Sequence, residues 1–270
     1  MKRSPAVAGQ FYPGDRTSLA RSVAELCGPA REEKQKQKAL AIISPHAGYM
    51  YSGWVAGETF SRIVIPEDVI ILGPNHHGHG AAVALMDRGA WQMPMGEVKI
   101  NETLAAELCR VSRLVERDEL AHRYEHSLEV QVPFLQFFQQ NLTITPLVIS
   151  HIPYEDCVAV GRDIAAAVRN YNKPVLIVAS TDMTHYESRQ AATAKDNLAI
   201  ERILKLDEAG LYETVLGRRI SMCGIMPTTV ALTAAKELGA SKVELVRYTD
   251  SGEMSGDTNQ VVGYAGLIIS

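Results

Sequence analysis

Hydrophobic positions along the chain gather in short dense runs separated by longer amphipathic stretches. Residues 39–43 (ALAII), 69–72 (VIIL), 81–86 (AAVALM) and 175–179 (VLIVA) are such runs, apolar and partly β-branched, and the pattern predicts strands, with 243–248 and 261–268 completing the sheet. Runs without polar alternation predict burial on both faces, as in a parallel sheet. Between them, residues 17–26 place Leu19, Val23 and Leu26 at helical spacing, and residues 55–63, 102–114, 157–171, most of 190–216 and 228–238 have helical patterns too. Strands alternating with helices predict an α/β protein with a mainly parallel or mixed sheet. At 270 residues and 46% hydrophobic the chain suits one large domain spanning residues 1–270.

Local signals refine this outline. Pro146 interrupts the run 142–150, which predicts an edge strand or a bulge. Ser127 is a candidate N-cap for a helix carrying Leu128, Val132 and Leu135 on one face, with Pro133 in its first turns. Residues 91–95 with Gly96 predict a loop of flexible apolar side chains roofing a site. Residues 3–13 (RSPAVAGQFYP) predict an extended arm laid on the body, and the mixed-charge run 31–38 predicts a solvated loop.

Three of the apolar runs end in the same way. Residues 39–43 lead to Ser44-Pro45-His46, 69–72 to Gly73-Pro74-Asn75-His76-His77, and 175–179 to Ser180-Thr181-Asp182-Met183-Thr184-His185. If these strands are parallel and adjacent, their histidines share the carboxyl edge of the sheet, where open α/β folds keep their ligands. Gly48 and Gly53 would let the chain turn tightly beside His46, with Tyr49, Tyr51 and Trp54 walling a cleft. Neighbours in extended chain point to opposite sides, so one of His76 and His77 serves as ligand and the other as support. His126 stands before the helix that Ser127 opens, where it either caps that helix or faces the site. Cys223 lies just before the helix 228–238, and a helix N-terminus favours a thiolate.

Composition removes several alternatives. The formal charge of −4, from 27 basic and 31 acidic residues, leaves no basic surface for nucleic acid. No apolar run reaches the ~20 residues of a spanning helix, and the first residues lack the apolar core of a signal peptide, so a cytoplasmic protein without a membrane association is expected. The cysteines Cys27, Cys109, Cys157 and Cys223 contain no C-x-x-C pair, against a disulfide framework or a zinc ribbon. Cys27 and Cys109 read as small buried hydrophobes.

His46, His76 and Cys223 would form a three-ligand set with open coordination positions, suited to Fe(II), Zn(II) or copper rather than to Mg or Ca. Asp182 and His185, in one loop, would add a carboxylate and a general base. A Cys–His hydrolase would use several of the same residues but leaves the other strand-end histidines without a role.

The segments AVAGQFYP, SPHAGYMYSG, LGPNHHG, EHSLEVQVPF, STDMTHY and CGIMP, in that order, resemble the successive signatures of the Memo family, known in prokaryotes as AmmeMemoRadiSam system protein B. That family is similar in fold to the B-type catalytic subunit of class III extradiol dioxygenases, which are non-haem Fe(II) enzymes. The resemblance implies a single three-layer α/β/α domain, with His46 and His76 matching metal ligands and His185 matching the dioxygenase acid/base histidine. Asp182 and His126 match further site positions. Where those dioxygenases have a third, carboxylate ligand, this chain has Cys223, and a thiolate favours softer metals. The resemblance thus implies an iron- or copper-dependent redox enzyme, zinc being the further option, acting on a small-molecule substrate or a peptide. The other implied class is a metal- or peptide-binding module that keeps the cleft without turnover. Animal members are associated with receptor phosphotyrosine peptides, against which the negative charge and lack of an Arg cluster argue here. The prokaryotic name implies association with AMMECR-type and radical SAM proteins.

Overall fold

The computed structural model describes residues 2–270. The chain opens with β1 (Lys2–Arg3), α1 (Arg16–Cys27), β2 (Ala41–Ser44), α2 (Tyr49–Ser61) and β3 (Asp68–Pro74), followed by β4 (Val83–Leu85), β5 (Ala90–Met93) and β6 (Gly96–Ile100). It continues through α3 (Glu102–Val111), β7 (Glu116–Arg117), α4 (Val132–Phe138), β8 (Thr143–Ile149), α5 (Tyr154–Tyr171), β9 (Val175–Ser180) and β10 (His185–Glu187). Helices α6 (Arg189–Leu204), α7 (Glu208–Gly217) and α8 (Ile225–Glu237) precede β11 (Val243–Asp250), α9 (Gly252–Ser255) and β12 (Val261–Ile269). No helix among the described residues is long and apolar enough to cross a membrane.

The strands join in one mixed sheet in the order β1-β5-β6-β8-β3-β9-β2-β12-β10, with β11 beside β12 and β4 beside β8. The middle four, β8, β3, β9 and β2, run parallel, and β12 lies antiparallel to β2. Their side chains alternate between two cores. Ile43, Ile70, Leu72, Ile177 and Ala179 pack with residues of α3, α5, α6, α7 and α8, whereas Ile42, Val69, Ile71, Leu176 and Val178 pack with α1, α2 and α4. Burying each such valine, leucine or isoleucine side chain stabilises the fold by roughly 1.5–3 kcal/mol. Strands apolar on both faces need helices on both, and the expected three layers result.

Several local expectations are corrected. Pro146 sits inside the sheet, opposite Ile71 of β3, and not at an edge. On the other side of β8, β6 pairs only as far as Ile144 and β4 begins at Leu147. Along that side Ile144 accepts from Asn101 N–H and Ser150 donates to Ala82. By the two-residue repeat Pro146 faces the gap between the two partial strands, where no N–H is required. Residues 91–95 belong to the β5–β6 hairpin and roof nothing, and Trp91 is buried against the Arg3 guanidinium.

Helix α2 starts at Tyr49, six residues before the predicted 55, so Gly53 is helical rather than a turn. A side chain there would strike Leu26, and one at Gly57 the Leu26 carbonyl, so both glycines serve the close crossing of α1 and α2. Ser127 does not cap a helix. Its hydroxyl donates to the Pro74 carbonyl, residues Glu129–Gln131 form a 3-10 turn, and Pro133 occupies the first turn of α4.

Candidate functional site

Adjacent and parallel, β3, β9 and β2 bring their carboxyl ends level. Ser44 pairs with Ser180, and Leu72 with Ala179. His46 and Asp182 each follow two residues beyond the paired serines, and His76 follows β3. The fourth contribution comes from α8. A Cβ on Gly224 would lie 2.4 Å from the Ser180 carbonyl oxygen, so only glycine lets the start of α8 approach β9 closely enough for Cys223 to enter the cluster.

The ligand atoms of His46, His76 and Cys223 lie within 4.8 Å of one another, which makes them a candidate metal-binding group. Each histidine is oriented by its Nδ1. Ser180 donates its hydroxyl to the Ser127 carbonyl at 2.6 Å, so its oxygen accepts from His46 Nδ1–H at 2.9 Å and from Gln131 Nε2 at 2.8 Å. His76 Nδ1–H donates to Glu125 at 2.9 Å, and its backbone N–H donates to the other carboxylate oxygen at 2.7 Å. In both rings Nε2 keeps its lone pair for a ligand role, an arrangement typical of metal-binding imidazoles. The donor set fits a transition metal that accepts nitrogen and sulfur.

The Cys223 thiol lies 3.2 Å from His46 Nε2 and can donate to it, and Asp182 N–H points at the sulfur from 3.2 Å. The expected thiolate is not the resting form. Burial, then the Asp182 carboxylate, push the thiol up, outweighing its place before α8. Burial and the neighbouring imidazoles His76 and His126 hold His46 well below its usual value. For His76 burial works downward, but the hydrogen bond and charge of Glu125 prevail and raise it. Ligation of a metal here would therefore displace a proton from Cys223, and from His76 when it is charged.

Asp182, His126 and His185 line the same cleft, of about 710 Å³, with Phe11, Tyr51 and Tyr186. Asp182 accepts the His46 backbone N–H at 2.7 Å, and burial raises its carboxyl to about 6. The His126 ring lies 4.7 Å from that of His76 at an interplanar angle of 23°, and burial lowers it to about 4. His126 belongs to a second ligand-capable group with His76 and Glu125, in which His76 Nδ1 is already bonded to the Glu125 carboxylate. His185 is absent from both groups. It heads β10, its Nδ1–H donates to the Ser221 carbonyl at 2.9 Å, and Nε2 is left free. Tyr186 beside it has φ +57°, a conformation sparsely populated by residues with a side chain.

Two aromatic expectations are adjusted. Tyr51 lines the cleft, but Tyr49 is buried with its hydroxyl on the Val130 carbonyl, and Trp54 borders a neighbouring groove. His77 points away, its ring against the Tyr124 carbonyl and the His79 ring. The supporting residues Glu125, Ser180, Gln131 and Ser221 were not anticipated. Glu125, a carboxylate beside His126, and Ser180, the first polar residue after an apolar run, were the available signals. The arm is fastened to the same segment: Glu129 accepts from Arg3, the backbone of Ala6 and Val7, and the Tyr12 hydroxyl.

A family model described as Memo-like protein matches residues 3–268. A MEMO1 family protein of Methanopyrus kandleri is 42% identical over 280 aligned residues, covering 99% of each chain. One from Aquifex aeolicus is 42% identical over 98% of each. Among solved structures, an uncharacterized protein of Escherichia coli K12, JW3007, superposes with a TM-score of 0.57 at 15% identity, covering 86% of this chain and 100% of its own, a likeness of fold alone.

Proposed function

We propose that this chain, which belongs to the Memo family, binds iron or copper through His46, His76 and Cys223 and acts as a redox enzyme on a small molecule held in the cleft. The observation that carries the reading is the convergence of the three ligand atoms within 4.8 Å, with the Nδ1 atoms of both histidines engaged elsewhere. A bound transition metal would supply a Lewis acid and a redox couple. The remaining residues move protons. His185 presents a free Nε2 to the cleft, with its ring fixed through Ser221, and is the general base. Asp182, whose carboxyl sits at about 6, exchanges a proton near neutral pH. His126, at about 4, is neutral there and flanks His76 as a hydrogen-bonding group.

A second reading, a metal- or peptide-binding module without turnover, draws on the groove beside the cleft. Exposed Met50, Trp54 and Met254 line it, and it shares Gln10 and Phe11 with the cleft. Elemental analysis of anaerobically purified protein is expected to find one iron or copper per chain, lost in folded His46→Ala and Cys223→Ala variants. Retention at the wild-type level would refute the ligand assignment. Oxygen consumption by the metal-loaded protein separates the readings: none with any electron donor leaves the module.

A further inference from the structure

Tyr264, on β12, is only 2% exposed and ranks among the largest fully buried side chains, yet it lines the cleft. The other buried tyrosines, Tyr12 and Tyr49, have hydroxyl partners, as do the half-buried Tyr171 and Tyr248. Tyr12 reaches Glu129, Tyr49 the Val130 carbonyl, Tyr171 Asp68 and Tyr248 Asp196. Among the described residues Tyr264 has no such partner, and only burial and the charges of its neighbours act on it. The Tyr264 oxygen is not among the sealed unpartnered polar atoms, so its hydroxyl meets the open space of the cleft, where a ligand's oxygen would take the place of water.

The rest of the lining restricts what that ligand is. No lysine or arginine borders the cleft, whereas Asp182 and Asp257 both do. Phosphate and carboxylate groups are normally met by lysine or arginine, and His76, the lining imidazole raised toward its cationic form, already has Glu125 as its counter-ion. Phe11, Tyr51 and Tyr186 offer ring faces, and Ser251, Ser255 and Gln260 offer neutral polar groups. We propose that Tyr264 is a specificity-determining residue that donates a hydrogen bond to an uncharged oxygen, so that the cleft takes neutral oxygen-bearing molecules in preference to anions. Burial, then the Asp182 carboxylate, raise the Tyr264 hydroxyl above its ordinary value, which keeps it a donor. The inference rests on the cleft being the ligand site, but not on the metal.

Full-length protein, as purified and after chelation, is titrated with benzyl alcohol and with benzoate, which share a ring and differ in charge. The ¹³Cζ resonance of Tyr264 and calorimetry report binding. Wild type is expected to bind benzyl alcohol more tightly than benzoate and to shift the Tyr264 signal. Tyr264→Phe, which keeps the ring in the core, is expected to weaken benzyl alcohol by about 3- to 10-fold while leaving benzoate affinity and metal content unchanged. Three results would each overturn the proposal: no saturable binding of benzyl alcohol by wild type, equal affinity in Tyr264→Phe, or benzoate binding at least as tightly. Failure of the metal reading shows instead as an absence of metal from the as-purified sample, leaving the chelated comparison intact.

Discussion

The two ends of β3 hold buried polar clusters that differ in what they leave unused. At its start, Asp68 accepts from Asn101 at 2.7 Å, from Thr143 at 2.6 Å and from Tyr171 at 3.0 Å. Asn101 also donates to the Tyr171 oxygen, and its own oxygen caps α3 at Leu104 N–H. Donors and acceptors are matched within the cluster. Beyond the other end of β3, His76 and His185 each have one nitrogen occupied and one free, His46 Nε2 meets only the thiol of Cys223, which ligation would displace, and the Tyr264 hydroxyl is free as well. Both clusters border a concavity, about 600 Å³ at the Asp68 end and about 710 Å³ at the histidine end. Concavity alone therefore does not mark a site; spare bonding capacity facing it does.

The comparison breaks most decisively at His185. If its free Nε2 is a base and not a ligand, His185→Ala is expected to lose ~10²–10⁴-fold in turnover while keeping its metal. Metal content and oxygen-dependent turnover measured on one sample decide this, and joint loss of both would place His185 among the ligands.

His122 sharpens it from another side. Its Nε2–H donates to the Ala84 carbonyl at 3.1 Å, and its Nδ1 has no partner but is sealed in the interior. Burial, then the Arg3 guanidinium, lower it from 6.5 to about 3. An imidazole that protonates more readily in the unfolded chain costs nothing above pH 6.5. Below that, stability falls as the unfolded state takes up the proton, by on the order of 5 kcal/mol once pH 3 is reached. Urea unfolding from pH 7 to 3 is expected to show this decline in wild type and a flatter one in His122→Gln. Parallel curves would mean that carboxylates set the acid limb.

Matched carboxylate-to-amide changes give the smallest effects and the closest contrast. Glu125→Gln weakens the acceptor that holds His76 and is expected to cost ~10–100-fold in metal affinity. Asp68→Asn sets an amide N–H₂ against donors and is expected to cost about 1–3 kcal/mol of stability, with metal affinity unchanged. Competition titration against a chelator, with denaturant unfolding in parallel, checks both, and a metal effect at Asp68 would erase the distinction.

Much of the layering was legible in the sequence because strands buried on both faces carry a plain apolar signal. The strand-end placement of His46 and His76 followed from the same signal, through the single assumption that β3, β9 and β2 are neighbours, whereas His185, the third histidine expected at a strand end, heads β10 and still lines the cleft. What failed depended on partners far along the chain. Pro146 looked like an edge residue because sequence does not show two partial strands sharing one side of β8. The apolar residues around Trp91 suggest a roof by composition, whereas Trp91, Met93, Val98 and Ile100 alternate inward in a hairpin. Cys223 looked like a thiolate because its helix N-terminus is local, whereas its burial and the Asp182 carboxylate come from elsewhere. Glu125 and Ser180 orient the histidines through Nδ1 atoms contributed by other strands' ends, and no local periodicity marks such a meeting.

The contact between His46 and Cys223 spans 177 positions of sequence. At ~5–20 residues per second of synthesis, roughly 10 to 35 seconds separate the appearance of the two residues at the ribosome. During that interval a nascent chain displays His46 and His76 without the sulfur that completes the set, and β12, which brings Tyr264, is still unmade. Two imidazoles on an unfinished sheet hold a metal poorly. If the chain takes up a metal through these residues, the order of synthesis delays that uptake until the fold is nearly complete, and a chain stalled before Cys223 has no complete set to load.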